Sequence, residues 1–164
     1  MSLEIVQKFM ELPVDRTNWD ADAWKLVRDG STFLSVDWGE DTEEIISSLN
    51  DIVGVQHPIT ASYEVSSNPA GFTHILTYQG RTLQISYAAE RHDCFIVVLT
   101  LAELVKENID IRFCKYSIGN SDLCFLPLSP NEWLMLEASH GQETINHRFL
   151  KFPQSFNEFA TYIS

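Results

Sequence analysis

Between Asp93 and Lys106 almost every position is apolar. Cys94, Phe95, Ile96, Val97, Val98, Leu99, Leu101, Leu104 and Val105 leave only Thr100 and Glu103 as polar interruptions. The length of this segment and its Leu101-Ala102-Glu103-Leu104 ending predict a helix. The β-branched run Ile96-Val97-Val98 keeps a strand open as the alternative for its first half. A helix that is apolar all round has no face to give to water and needs neighbours on more than one side. The fold must therefore place other elements around this segment, with Asp93 as the expected N-cap.

Antiparallel strands are the expected neighbours. Residues 60–66, 72–79 and 81–87 predict three antiparallel strands, with Ala61, Tyr63 and Val65 alternating with polar neighbours in the first and Leu83, Ile85 and Tyr87 in the third. Asn68-Pro69-Ala70-Gly71 and Gln79-Gly80 supply the turns. A second strand pair spans 109–116 and 122–128, and residues 148–152 add an edge strand. Residues 23–28 and 31–38 flank Asp29-Gly30 and predict a hairpin, with Trp24 and Trp38 as cross-strand core partners. Helices are predicted over 3–12, ended by Pro13, and from Asp41 to Gly54, with Asp41 and Glu44 as a capping box. Two more start at Ser129-Pro130-Asn131-Glu132 and at Ser155 with Glu158. Residues 14–22 read as a polar loop around Trp19. The order is α-ββ-α-βββ-α-ββ-α-β-α, an α+β chain whose antiparallel sheet carries helices packed against it. One domain over 1–164 fits this length; a minor unit 1–54 packed on a sheet unit 55–164 is the alternative division.

Charge narrows the partners. The net charge is −12, and residues 1–51 hold 12 of the 23 acidic side chains against four basic ones, Lys8, Arg16, Lys25 and Arg28. Nucleic-acid and anionic-membrane binding rely on Lys and Arg, so neither is expected. A basic protein partner is. No stretch has the length of a membrane span and the N-terminus lacks the order of a signal peptide, so a cytoplasmic location is expected. Cys94, Cys114 and Cys124 form neither a disulfide framework nor a zinc spacing, and are expected as buried free thiols.

No constellation of catalytic or cofactor-binding residues stands out, and no cofactor or metal is expected. His92-Asp93-Cys94 holds the residue types of a nucleophilic site, but adjacent side chains diverge and cannot form a triad. His57, His74, His92, His140 and His147 show no metal-ligand spacing. The densest functional signal is acidic and aromatic. Asp37, Glu40, Asp41, Glu43 and Glu44 follow Trp19, Asp20 and Asp22, and these eight residues are the expected partner-binding face.

In size, charge and element order the chain resembles two kinds of bacterial protein. One is the immunity proteins that neutralise secreted toxins. The other is the small acidic secretion chaperones, whose three strands, helix, two strands and helix are similar to residues 60–140. Both resemblances imply binding of another protein chain and place no functional residue. The leading expectation is a non-catalytic acidic protein-binding domain, toxin-neutralising or chaperone-like. The alternatives are a small-molecule binder or enzyme using Cys94, His92 or His74 in the sheet concavity, and a structural subunit of a homo-oligomer.

Overall fold

The computed structural model describes residues 3–13, 21–54, 56–153 and 155–164, without the side chains of residues 21 and 22. In chain order the elements begin α1 (Leu3–Glu11), α2 (Ala21–Val27), β1 (Leu34–Asp37), α3 (Thr42–Val53), β2 (Thr60–Val65), β3 (Phe72–Tyr78) and β4 (Arg81–Gln84). They continue α4 (Asp93–Val105), β5 (Asp110–Cys114), β6 (Asp122–Leu128), α5 (Pro130–His140), α6 (Gln142–Arg148), β7 (Phe149–Lys151) and α7 (Phe156–Ile163). The class is α+β, with two antiparallel sheets in the orders β2-β3-β4 and β1-β6-β5-β7. No helix among the described residues is long and apolar enough to cross a membrane.

The apolar helix α4 finds the neighbours its composition demands. It packs on β3 and β4 of one sheet, on β1 and β5 of the other, and laterally on α3 and α7. Phe95, Val98 and Leu101 are fully enclosed between Leu76 and Ile85 from the small sheet and Val36 and Phe113 from the large one. Phe113, Phe125 and Phe159 surround one end with ring centroids 5.1–6.3 Å apart. Tilted and edge-to-face pairs of this kind each contribute about 0.5–1.5 kcal/mol beyond their burial.

The large sheet is covered on both faces. Leu123 and Phe125 of β6 face α4, while Cys124, Leu126 and Leu128 face a second cluster built from Val6, Phe9, Val27, Trp133, Leu136 and Ile145. That double burial is why β6 reads as a continuous apolar run. Its Pro127 falls where β6 runs past β1, whose pairing ends at Phe125, so the missing N–H interrupts no ladder to β1. Arg112 enters the second cluster beneath the Trp133 ring at 4.0 Å and is balanced by Asp110 at 2.9 Å and Glu137 at 3.0 Å. Arg148 donates to the carbonyls of Phe9 and Leu12, satisfying the C-terminal end of α1.

Four expectations need correction. Residues 23–28 are not a strand: 21–27 form α2, and no 23–28/31–38 hairpin exists. In so short a window the spacing of Ala23, Trp24 and Val27 suits a helical stripe as well as an alternating strand. The Asp29 carboxylate accepts bonds from Ser31 N and Oγ to close a local turn, and β1 pairs instead with β6, Leu34 opposite Phe125. Trp24 and Trp38 are thus not cross-strand partners: Trp24 lies on α2 under Arg28, and Trp38 packs edge-on to Phe95 at 4.7 Å. Asp41 is the N-cap of α3 by position but makes no side-chain cap bond, and Asp93 lies inside α4, whose N-cap is His92. Helix α6 was not anticipated, because only Ile145 and Arg148 anchor it. The predicted 14–22 loop lies over residues 14–20 outside the described residues, and its last two positions belong to α2.

The two acidic-start helices differ in a measurable way. At α5 the capping box is complete: Ser129 Oγ accepts from Glu132 N, and Glu132 Oε2 accepts from Ser129 N at 2.7 Å. Ser129→Ala should cost about 1 kcal/mol in urea denaturation, whereas Asp41→Ala should cost only the few tenths due to the lost charge at the helix terminus. Equal costs would contradict the difference in capping.

Candidate binding cleft

Two chain segments bring the site together. After β1 the backbone turns back on itself: Glu40 N donates to Asp37 O at 3.1 Å, and Asp37 N donates to Glu40 Oε2 at 3.0 Å. Trp38 anchors this turn on Phe95 of α4. The second segment links β4 to α4, where the Asp93 carboxylate accepts from Ala88 N at 2.9 Å and Ala89 N at 3.0 Å. Ala89 has φ 60°, a left-handed conformation that costs a non-glycine residue about 1–2 kcal/mol, and this pair of hydrogen bonds helps to hold it. The first turns of α3 and α4 thus lie side by side at one end of the small sheet.

Between them opens a cleft of about 190 Å³. Glu40, Asp41 and Glu43 line one wall, Asp93 and Cys94 another, and Phe72 and His74 of β3 complete it with Tyr87 from the segment after β4. A chain of polar contacts crosses it: Thr42 Oγ1 to Tyr87 Oη at 2.6 Å, Tyr87 Oη to His74 Nδ1 at 2.7 Å, and His74 Nε2 to Glu43 Oε1 at 2.9 Å. A carboxylate can only accept, so His74 Nε2–H donates to Glu43. With a neutral ring, Nδ1 accepts from the Tyr87 hydroxyl, whose oxygen accepts from Thr42. This orientation satisfies every polar atom in the buried part of the chain, as burial requires.

The electrostatics of the cleft are those of crowded carboxylates. Burial pushes the Glu40 carboxyl up; the Asp37 N–H offsets part of that rise, and the negative charges of Glu44, Asp122 and Asp37 add to it. A cation placed here would relieve that repulsion. Nucleophilic chemistry is poorly provided for. Burial, before any other cause, pushes Cys94 up to about 12, with the Glu40 and Asp37 charges acting in the same direction. Tyr87 is likewise pushed up to about 12, mainly by burial. The His92 ring is stacked on Phe156 at 3.9 Å, while Cys94 Sγ is directed to the Arg91 carbonyl. Neither the thiol nor the phenol is ionised at neutral pH, so neither is poised to attack or to take a proton.

Of the residues expected at the partner-binding face, Glu40, Asp41 and Glu43 line the cleft. Asp37 and Glu44 are exposed beside it, close enough to raise Glu40. Trp19 and Asp20 lie outside the described residues, as does the side chain of Asp22, which is carried on α2. The contributions of Phe72, Tyr87, Asp93 and Asp122 were not anticipated. Nothing in the spacing of these four links them to residues 37–44; the link is made by α3 and α4 packing together. Asp122 reaches the site because β6 pairs with β1, and it bonds Arg28 at 3.2 Å and Ser35 at 3.3 Å. Among the described residues no three His, Cys, Asp or Glu side chains are grouped to hold a metal ion.

All three cysteines are buried free thiols. They should resist a thiol reagent at neutral pH in the native state and react once urea unfolds the chain. Burial raises Cys94 from the ordinary 9.0 to about 12 and Cys124 to about 11, and Tyr87 shifts the same way. The unfolded chain therefore loses these protons first as pH rises. Their effect on stability is absent below pH about 9 and becomes a progressive loss from there towards about 12. Urea denaturation across that window should show the fall; a flat or rising stability, or fast native labelling of Cys94, would contradict it.

Comparison of the chain with protein-family models, with curated proteins and with solved structures finds no match in any of the three.

Proposed function

We propose that this domain is a non-catalytic protein-binding module that holds a basic partner chain at the cleft beside the first turns of α3 and α4. One observation carries the proposal: Glu40, Asp41 and Glu43 meet Phe72, His74 and Tyr87 around a single open cleft, with Asp37 and Glu44 at its margin. Carboxylates steer a basic surface into contact and aromatic rings anchor it, a combination suited to protein recognition. At the rim, Asp122 is already bonded to Arg28 at 3.2 Å. The protonated Cys94 thiol and the stacked His92 give the enzyme alternative little support. Toxin neutralisation and secretion chaperoning, the roles of the two kinds of protein the chain resembles, both consist of holding another chain, and the proposal extends to that class of role.

The test is capture of partners from source-cell lysate at rising salt, repeated with charge variants. A basic partner should be retained at low salt and lost as ionic strength rises. The variant carrying Asp41→Lys, Glu43→Lys and Glu44→Lys should lose it, with association slowed at least about ten-fold. Asp41→Lys and Glu44→Lys should each cost about 1 kcal/mol or less of stability through the α3 N-terminus, and Glu43→Lys about 1–3 kcal/mol because it also leaves His74 Nε2–H without its partner, so circular dichroism and urea denaturation should confirm that the variant used for capture is folded. Reversing the exposed Asp51, Glu107 and Glu143 instead makes the same change in net charge away from the cleft, and should leave capture nearly intact. Equal loss in both variants, or a partner insensitive to salt, would overturn the proposal.

A further inference from the structure

β2 pairs with β3 and is the outer strand of the small sheet. The direction of its backbone groups follows from one bond: Ser66 N donates to Gly71 O at 3.1 Å, a pair that continues the β2–β3 register. Antiparallel ladders alternate, so Thr60, Ser62 and Glu64 turn their N–H and C=O groups to β3. Ala61, Tyr63 and Val65 turn theirs outward. The Ile85 N bond to His74 O at 3.0 Å sets the same alternation on the other side of β3.

The side chains of those three residues lie on the inner face, opposite Leu76, His74 and Phe72. α4 does not extend over them. Tyr63 is 64% exposed and Val65 86%. Tyr63 lies nearly parallel to Phe72 at 5.5 Å and edge-on to His74 at 5.9 Å, so the uncovered strip runs directly into the acidic cleft. Edge strands are usually protected by lysine, proline or a bulge. β2 has none of these, and Glu64, its one charge, is on the opposite face.

Resting on the basic-partner reading above, we propose that β2 accepts an extended basic segment of the partner protein as a further strand of this sheet. Apolar side chains of that segment lie beside Ala61 and Val65, and an Arg or Lys two residues from each, on the same face and opposite Tyr63, reaches the cleft carboxylates. An added strand sits about 4.8 Å from β2 and so about 10 Å from β3. From there a long cationic side chain crosses the Tyr63 ring to Glu43, which is held at 2.9 Å from His74. A basic segment is favoured over a second copy of this chain by charge: a copy would bring its own acidic cleft against this one on a chain of net charge −12.

Selection of a displayed library of random linear peptides on the full chain tests this. Enriched sequences should carry an Arg or Lys with apolar residues two positions to either side, so that all three share one face of the added strand. With such a peptide bound, residue-resolved hydrogen exchange should slow at Ala61, Tyr63 and Val65, while Ser62 and Glu64 are already slow in the free protein. Ala61→Pro deletes one outward N–H without touching the ladder to β3 and should weaken binding about ten-fold, the value of one good hydrogen bond. Ala61→Val should not. Peptides that need Asp41, Glu43 and Glu44 but leave the edge amides unchanged would overturn strand addition and leave the basic-partner reading standing. Edge protection by peptides without basic residues would overturn the charge argument, and a library that yields no binder would overturn both.

Discussion

The burial of α4 between two sheets is the constraint on which the rest of the molecule depends. A segment with so few polar positions cannot stand at a surface, and Phe95, Val98 and Leu101 are in contact with protein on every side. Satisfying that one helix forces the small sheet onto one flank and the large sheet onto the other. The large sheet then has a second face to cover, and α1, α2, α5 and α6 cover it through the Phe9–Trp133–Ile145 cluster. Each layer exists because the layer inside it leaves apolar surface uncovered.

The same arrangement creates the cleft. α3 and α4 are both packed against β1, and their first turns therefore arrive together at one end of the small sheet. Backbone N–H groups at helix starts favour negative charge nearby, which helps to tolerate Asp41, Glu43, Glu44 and Asp93 at close quarters. The Thr42–Tyr87–His74–Glu43 chain ties α3 to the small sheet where the apolar core ends. It fixes the Glu43 carboxylate beside the exposed Tyr63 edge. The cleft is thus a by-product of core packing that has been furnished with charge.

Local signals were legible where a single element carried its own explanation. The apolar run of α4, the capping box at Ser129, the left-handed Gly54 after α3 and the edge position of β7 all follow from nearby residues. Failures came where two local patterns were nearly equal in strength and a distant partner decided between them. Residues 21–27 suit strand or helix, and the pairing of β1 with β6 removes the hairpin partner a strand would need. β2 has the alternation of a half-buried strand, yet all six of its residues are exposed, because alternation says which side chains share a face and not whether anything covers it. For the cleft, the acidic half of the lining was legible because residues 37–44 are contiguous. Phe72, Tyr87 and Asp122 were not, since only tertiary packing brings them near.

Arg148 grips the carbonyls of Phe9 and Leu12, the former 139 residues earlier in the chain. At translation rates of about 5–20 residues per second, roughly 7 to 28 s separate the synthesis of these two partners. For most of that interval the apolar stripe of α1, with Val6, Phe9 and Met10, lacks the cluster partners made late in the chain, Trp133, Leu136, Ile145 and Phe149. α1 is therefore made long before it can find its full set of neighbours, and a nascent chain stalled before residue 133 would still carry that stripe partly uncovered, open to chaperones and proteases alike.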